Sequence, residues 1–368
     1  MIYLDHGATA FPKPPTVRAA VARAMECCAN PGRGGHRPAM AGAETVYACR
    51  ERCAAFFDCQ PEQVVFTSGC TQALNMAIHS LVKRGDRVVI SGFEHNAVTR
   101  TLQGRHAQIL VAGRRLFDPE DTLREWEKAL QKEPKAAVFT HVSNVFGYIL
   151  PAEEMAALCR KYGVPFVVDA AQSAGTLPIS LKKWGADFIA IAGHKGLLGP
   201  MGTGVLLCGK IPEPLLFGGT GSLSLEQQMP SFLPDRAEAG TLNVAGIAGL
   251  EAGIAHIQKR GREALFAAEC SQVQRCAKAL EKLGLQVFAG ERQGGTLSFV
   301  PAMDCEEMAR LLARQGVAVR AGFHCAPLAH ESAGTLSTGT VRLSFGPDAC
   351  PHQTDKFLGI ISRILQKN

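Results

Sequence analysis

Short apolar runs alternate with amphipathic segments through the first two thirds of the chain. The runs at 63–68, 86–91, 136–142, 164–170, 186–192 and 204–208 have the length and the Val/Ile/Phe content typical of buried strands. Segments between them, such as "TQALNMAIHSLVKRG" and "PAEEMAALCRKYG", have helical spacing of apolar residues and end at a glycine. This alternation predicts an α/β domain with a largely parallel sheet covered by helices on both faces.

The pattern changes after about Gly249. Long helical segments follow, and then short apolar runs near 295–300 and 317–320. We therefore expect a large domain over residues 1–254 and a smaller C-terminal α+β domain over residues 255–368. Residues 1–15 are expected to pack near the small domain.

Composition and charge narrow the functional classes. With 368 residues, of which 46% are hydrophobic and 20% charged, the chain is long enough to bury a substantial core. Its net charge of +6 is spread along the sequence, so we expect no nucleic-acid partner. No apolar run reaches the roughly 18 residues that span a bilayer, and the first residues lack a leader pattern, so we expect a cytoplasmic protein without a membrane partner.

The chain contains 13 cysteines, which we expect to be reduced and mostly buried as small apolar side chains. Because no CxxC pair occurs, we expect no metal site.

The segment "GVLLCGKI" (204–211) resembles a phosphate-binding loop. We reject that interpretation because Ile211 stands where the motif needs a hydroxyl and the intervening residues have the pattern of a strand.

One lysine, Lys195, lies in the glycine-rich segment "GHKGLLGPMGTG", directly after the apolar run 186–192. Glycines allow close backbone approach to a ligand. A lysine held in a partly desolvated pocket has a neutral amine that can form a Schiff base with a carbonyl cofactor. On its own, such a lysine would be interpreted as a solvated surface charge.

Two further patterns supply what pyridoxal phosphate requires. Asp169 ends the apolar run in "FVVDAAQSAG", where it can pair with a protonated ring nitrogen, and Gln172 can bond the phenolate oxygen. The alternative is that Asp169 caps the next helix. In "FTSGCTQALN", Gly69, Cys70 and Thr71 lead into a helix whose N-terminus suits a phosphate, although ordinary capping has the same pattern.

These motifs, in this order, resemble the class V aminotransferase family of pyridoxal-phosphate enzymes, and within it the group II cysteine desulfurases and selenocysteine lyases. The resemblance covers nearly the whole chain, including "YLDHGAT", "NPGRGGH", "EHNAV", "HVSNVFG", "EAGTLNVAG", "RAGFHCAPLAH" and "GTVRLSFG". It implies a fold type I pyridoxal-phosphate transferase with a mainly parallel seven-stranded sheet, and a homodimer with shared active sites.

The resemblance also implies residue roles. Lys195 would bond the cofactor, Asp169 would pair with its ring nitrogen, and His95 would stack on its ring and take part in catalysis. The phenolate edge would face Asn144 and Gln172. The phosphate would be bound by Gly69, Cys70, Thr71, His194 and Thr241 of the partner subunit. The substrate site would contain Arg320, Arg342 and His36, with a buried structural histidine as the alternative for His36.

The resemblance makes Cys325 the catalytic thiol, although a cysteine taken alone would be interpreted as inert. It implies that the cofactor activates L-cysteine, that the Cys325 thiolate attacks the substrate sulfur, and that L-alanine and a persulfide on Cys325 result. Cations near Cys325 would promote this attack, because an ordinary thiol is mostly protonated at neutral pH. An acceptor protein for the sulfur is the expected partner.

Several positions depart from the family pattern. Ala192 stands where relatives usually carry Ser or Thr, His6 and Gly7 alter the amino-terminal motif, Asn96 replaces a second histidine, and Phe323 makes the approach to Cys325 more apolar. Three alternatives therefore remain beside the desulfurase. They are a selenocysteine lyase, a transaminase or β-lyase that does not use Cys325, and a non-catalytic scaffold.

Overall fold

A computed structural model of the chain describes residues 1–32 and 34–367. Its strands are β1 (Ile2–Tyr3), β2 (Val64–Thr67), β3 (Arg87–Ser91), β4 (Gln108–Ala112), β5 (Ala136–Thr140), β6 (Phe166–Asp169), β7 (Phe188–Ala192), β8 (Gly204–Cys208), β9 (Gln286–Phe288), β10 (Thr296–Val300), β11 (Val317–Ala318), β12 (Arg320–Gly322) and β13 (Thr340–Ser344). Its α-helices are α1 (Pro15–Cys27), α2 (Arg37–Phe57), α3 (Cys70–Leu81), α4 (Asn96–Gly104), α5 (Pro119–Leu130), α6 (Ala152–Lys161), α7 (Leu181–Trp184), α8 (Val244–Arg260), α9 (Arg262–Lys282), α10 (Cys305–Arg314), α11 (Pro327–Ala333) and α12 (Pro351–Lys367).

The central sheet has seven strands in the order β2-β8-β7-β6-β5-β3-β4. Strand β8 runs antiparallel to both of its neighbours, and the remaining pairs are parallel. The expected mainly parallel seven-stranded sheet is therefore confirmed, and each of the six apolar runs forms one of its strands. The seventh strand, β4, was missed by the pattern because it lies at the sheet edge and is only partly buried.

Both faces of this sheet are covered. Successive residues of a strand point to opposite faces, so Val88 and Ile90 pack with α3 and α4, whereas Val89 packs with the core that contains α2, α5 and α8. Coverage of both faces explains why these strands are continuously apolar instead of alternating.

A smaller, four-stranded antiparallel sheet follows, in the order β12-β13-β10-β9. Its core includes side chains of α9, α10 and α12. The first strand, β1, pairs with β11, and the Ser344 amide donates to the Leu4 carbonyl, so the start of the chain lies against this sheet. The boundary at residue 254 stays a prediction. Ile257 and Leu265 still pack with the large core, whereas Val273 packs with the small one.

The order of strands brings separate chain segments to one edge of the large sheet. Strands β3, β5, β6 and β7 are parallel, so their carboxyl ends meet there. His95 follows β3, Asn144 follows β5, Asp169 ends β6 and Lys195 follows β7. The ligand crevice of open α/β sheets lies at this edge. Within the two described ranges, no helix is long and apolar enough to cross a membrane.

Candidate active site

A cavity of about 270 Å³ lies at this edge of the sheet. It brings together most of the predicted cofactor residues. Its lining includes Gly69, Cys70, Thr71, His95, Asn144, Asp169, Gln172, Ala192, His194 and Lys195. The volume is close to that of small ligand pockets, and the lining combines one amine, one carboxylate and a helix N-terminus.

Lys195 and Asp169 are the charged groups at the base of the cavity. Burial lowers the pKa of Lys195, and the carboxylate of Asp169 acts in the opposite direction. Asp169 is buried, and its Oδ1 accepts from the Ala171 amide at 2.9 Å. A turn follows instead of a helix, so the helix-capping alternative for Asp169 is wrong. Among described residues no cation lies within ion-pair distance of this carboxylate, which therefore suits a cationic ligand atom.

The N-terminus of α3 also lines the cavity. Gly69 precedes the helix and Cys70 and Thr71 form its first turn, where backbone amides have no intrahelical partner. His194 lies beside this end, with its Nδ1 3.1 Å from the Thr9 hydroxyl oxygen. Burial lowers the pKa of His194 to about 4, so the ring is neutral at pH 7. This end provides amide donors and a positive helix dipole for an anion.

His95 has a fixed orientation because it caps α4. Its Nδ1 accepts from the Ala97 amide at 3.0 Å, and burial lowers its pKa, so the imidazole is neutral. The next residue holds the loop that carries Cys325, since the Asn96 amide donates to the Cys325 carbonyl at 2.7 Å. Asn144 Nδ2 donates to the His324 carbonyl at 2.8 Å. The loop is thus anchored to two segments that line the cavity.

The loop itself has an unusual backbone. His324 and Cys325 have φ values of 49° and 56°, and consecutive left-handed residues other than glycine are rare and costly. This geometry turns the His324 ring inward, where its Nε2 lies 3.1 Å from the Thr340 hydroxyl, and leaves Cys325 exposed. Burial holds the pKa of His324 well below its usual value. The cation beside the Cys325 sulfur is therefore Arg320 and not His324. Nη2 of Arg320 lies 3.6 Å from this sulfur.

Arg342 lies behind the loop on β13 and is almost fully buried. Its Nη1 donates to the Asn144 carbonyl at 2.9 Å and its Nη2 to Asp5 Oδ1 at 2.7 Å. Its Nε has no hydrogen-bond partner among the described residues. A Cβ at Gly7 would come within 3.3 Å of the guanidinium, so the glycine of "DHGAT" lets this turn pack on Arg342.

Comparisons with known proteins establish the family. A model of the class V aminotransferases matches residues 2–357. The chain belongs to the class V aminotransferase family. A probable cysteine desulfurase of Pyrococcus abyssi is 32% identical over 384 residues, covering 100% of this chain and 94% of the relative. A probable cysteine desulfurase of Methanothermobacter thermautotrophicus is 31% identical, covering 91% of this chain and 88% of the relative.

Solved structures agree with this assignment. The apo cysteine desulfurase of Thermococcus onnurineus superposes with a TM-score of 0.92 at 32% identity, covering 100% of this chain and 95% of that one. The Escherichia coli cysteine desulfurase CsdA, with an S-sulfonic acid, superposes with a TM-score of 0.87 at 27% identity, with the same coverage. The class V aminotransferase fold thus extends over the whole chain.

Besides Cys325, Arg320 and Arg342, two predicted residues of this class V aminotransferase lie outside the cavity lining, His36 and Thr241. His36 is exposed, and its Nδ1 accepts from the Ala39 amide as the N-cap of α2, so the alternative of a buried structural histidine is wrong. Thr241 is also exposed and lines a neighbouring cavity with Ser68 and Gln72. Their roles in substrate and phosphate binding stay predictions.

Three further residues contact groups of the site and were not predicted from the sequence. Asp5 pairs with Arg342, and the Lys13 ammonium donates to the His194 carbonyl at 2.6 Å, with its pKa lowered to about 8 by burial. Glu94 is fully buried, accepts from the Thr140 amide at 2.8 Å, and has its pKa raised to about 8 by burial. Asp5 is part of the quoted motif "YLDHGAT", but nothing in the sequence indicates its partner 337 residues away.

Fewer of the 13 cysteines are buried than expected. All 13 are free, and six of them are buried: Cys49, Cys53, Cys159, Cys208, Cys276 and Cys305. Cys27 and Cys325 are exposed, and the others are half-buried. Among the residues that the structure describes, no group of three or more potential ligands is placed to hold a metal ion.

Proposed function

We propose that the chain is a pyridoxal-phosphate-dependent cysteine desulfurase, which converts L-cysteine to L-alanine and takes the sulfur onto Cys325 as a persulfide. One observation carries this proposal. An exposed thiol lies on a loop that is tethered to Asn96 and Asn144, with the guanidinium of Arg320 beside its sulfur. A transaminase has no use for a thiol held in this way, and an inert cysteine is usually buried.

The cavity fits pyridoxal phosphate in three respects. Burial lowers the pKa of Lys195, which favours the neutral, nucleophilic form of its amine. The carboxylate of Asp169 is buried and would pair with the protonated ring nitrogen, and the first turn of α3 would bind the phosphate. When bound there, the cofactor draws electrons from the Cα of the amino acid.

Three groups of the chain would then act on the substrate. The unpaired Nε of Arg342 and the guanidinium of Arg320 would bind its carboxylate. The Cys325 thiolate would attack the substrate sulfur, so that a sulfur–sulfur bond forms and the substrate carbon–sulfur bond breaks. The neutral amine of Lys195 would move a proton at the substrate carbon, which becomes part of alanine.

The test uses purified enzyme with bound cofactor, given L-cysteine or L-selenocysteine in the presence of dithiothreitol. We expect wild type to form alanine from L-cysteine, Cys325→Ser to lose this activity, and Cys27→Ser, which changes another exposed cysteine, to retain it. Alanine from selenocysteine alone would favour the lyase. Keto acid in place of alanine would favour a transaminase, and a colourless protein that takes up no cofactor would favour the scaffold.

We also infer a homodimer in which Thr241 contributes to the phosphate site of its partner. Thr241 is exposed and does not line the cofactor cavity of its own chain, which is consistent with this role. Mixing Lys195→Ala subunits with Thr241→Ala subunits tests it. If the site is shared, each hybrid dimer contains one complete site, which should bind the cofactor with wild-type affinity. If each site lies within one chain, neither site of the hybrid is complete and cofactor affinity should not recover.

A further inference from the structure

A second cavity, of about 600 Å³, begins at Cys325 and lies between α3 and α4. Both walls are stripes of residues spaced four apart, which therefore share one face of a helix. The stripe on α3 consists of Thr71, Asn75 and His79. The stripe on α4 starts at Asn96 and continues through Arg100 and Gly104. We name this cavity the α3–α4 groove.

The groove is positively charged. Arg100 is exposed and has no ion pair or hydrogen bond to any described residue. Arg105 follows at the far end, where its Nε and Nη2 donate to the Val82 carbonyl and its Nη1 remains available. His79 lies on the opposite wall, and no described aspartate or glutamate lines the groove. A surface with unpaired guanidinium groups and no carboxylate attracts anions.

The groove is also continuous with the reacting thiol. Cys325 and His95 line its inner end, and His95 and Thr71 line the cofactor cavity as well. The hydrogen bond from the Asn96 amide to the Cys325 carbonyl fixes the loop at the first residue of the α4 stripe. Eight residues of helix extend roughly 12 Å from there, which matches about four residues of an extended peptide.

We propose that the α3–α4 groove binds the sulfur acceptor, and that this acceptor is a peptide segment of a partner protein in which acidic residues neighbour the accepting cysteine. This inference rests on the proposed desulfurase function. The acceptor thiolate attacks the outer sulfur of the Cys325 persulfide. The bond between that sulfur and Cys325 Sγ breaks, its electron pair stays on Sγ with the proton that the acceptor thiol lost, and the acceptor leaves as a persulfide.

The experiment supplies the holoenzyme and L-cysteine with one of three synthetic heptapeptides. Each has a central cysteine, flanked by glutamates, glutamines or lysines, and persulfide on the peptide is measured by mass spectrometry. Wild type is expected to favour the glutamate peptide over the lysine peptide by about tenfold at low salt, with a smaller preference at high salt.

Two variants locate the effect. Arg100→Glu should remove or reverse the charge preference. Gly104→Trp should slow transfer to every peptide, because a side chain at Gly104 meets open space in the free protein and would project into the groove. The matched control is Arg314→Glu, which makes the same charge change on the exposed end of α10 and should leave transfer unchanged.

Alanine formation with dithiothreitol as the acceptor separates this inference from the proposed function. If wild type forms no alanine with dithiothreitol, the proposed function fails. If alanine forms and all three peptides accept sulfur equally, or Arg100→Glu keeps the wild-type preference, the groove does not select an acidic acceptor. Loss of turnover with dithiothreitol in Arg100→Glu would also contradict the inference, since it would show an effect on the chemistry itself.

Discussion

Nη2 of Arg320 lies 3.6 Å from the sulfur of Cys325. Arg320 begins β12, the strand that leads into the loop carrying this cysteine. The adjacent His324 ring is turned inward and is neutral, because burial lowers its pKa. Arg320 is therefore the cation placed to interact with the negative sulfur during transfer. The same guanidinium is proposed to bind the substrate carboxylate, so one side chain positions both reacting partners.

Replacing Arg320 should slow persulfide formation on Cys325. A hydrogen bond to a charged group contributes about 1.5–3 kcal/mol, so Arg320→Ala should reduce kcat/KM about ten- to hundred-fold. The kcat/KM of Arg320→Lys should lie between those of wild type and Arg320→Ala, because the lysine ammonium keeps the positive charge but lacks the planar guanidinium with its two parallel donors. Single-turnover mass spectrometry of Cys325 measures the rate, with Arg314→Ala as the control. A wild-type rate in Arg320→Ala would contradict this role.

Removing Asp5 should destabilise the fold. Asp5 is the carboxylate that pairs with Arg342, whose side chain is only 1% exposed. Leaving such a buried charge unpaired costs about 3 kcal/mol or more, so Asp5→Ala should lower the free energy of unfolding by that amount in a urea titration. Asp355→Ala breaks the exposed pair with Arg275 and should cost less than about 1 kcal/mol. Equal costs for the two variants would contradict the prediction.

A hydroxyl at position 192 should strengthen cofactor binding. Ala192 ends β7 and lines the cavity in which the cofactor is proposed to bind. A hydroxyl there can donate to a phosphate, and one such bond to a charged group lowers Kd about tenfold or more. Ala192→Thr should therefore bind pyridoxal phosphate more tightly in an absorbance titration, whereas Ala192→Val, which has the same shape without the hydroxyl, should not. Equal affinities of the Thr and Val variants would exclude the hydroxyl as the cause.

Glu269 should make stability fall as pH rises. Its carboxyl is buried beside Gly295, has no hydrogen bond to a described residue, and burial raises its pKa to about 8. Between the unfolded pKa, near 4.3, and pH 8, the native state therefore binds the proton and the unfolded state does not. The stabilisation of the native state by this bound proton is fully present below the unfolded pKa, and it is lost as pH rises through 8.

Glu269→Gln removes this titration. Its free energy of unfolding should rise relative to that of wild type as pH increases from 5 to 8. The difference between the two proteins should change by an amount on the order of a few kcal/mol over this range. Urea titrations at a series of pH values measure it. Glu281→Gln changes an exposed glutamate of the same helix and should follow the wild-type curve. Parallel curves for Glu269→Gln and wild type would show that the carboxyl does not carry the proton in the native state.

The linear pattern of residues was sufficient to specify the class of fold, the six buried strands and the order of the motifs. Continuous apolar runs are specified locally, and residues at the carboxyl ends of parallel strands must meet at one edge of the sheet. Lys195 and Asp169 could therefore be assigned to one site from the sequence, and the family resemblance added Asn144. The edge strand β4 was not predicted, because a partly buried strand has a weaker apolar pattern in the sequence.

The partners of these residues, in contrast, depend on tertiary packing. The pairing of Asp5 with Arg342, the contact of Lys13 with His194 and the orientation of Arg320 toward Cys325 each depend on how distant segments of the chain pack together. The inward turn of His324 depends on a left-handed backbone that no residue type in the loop demands. Because such contacts join segments far apart in the chain, packing between those segments, and not local sequence, sets their geometry.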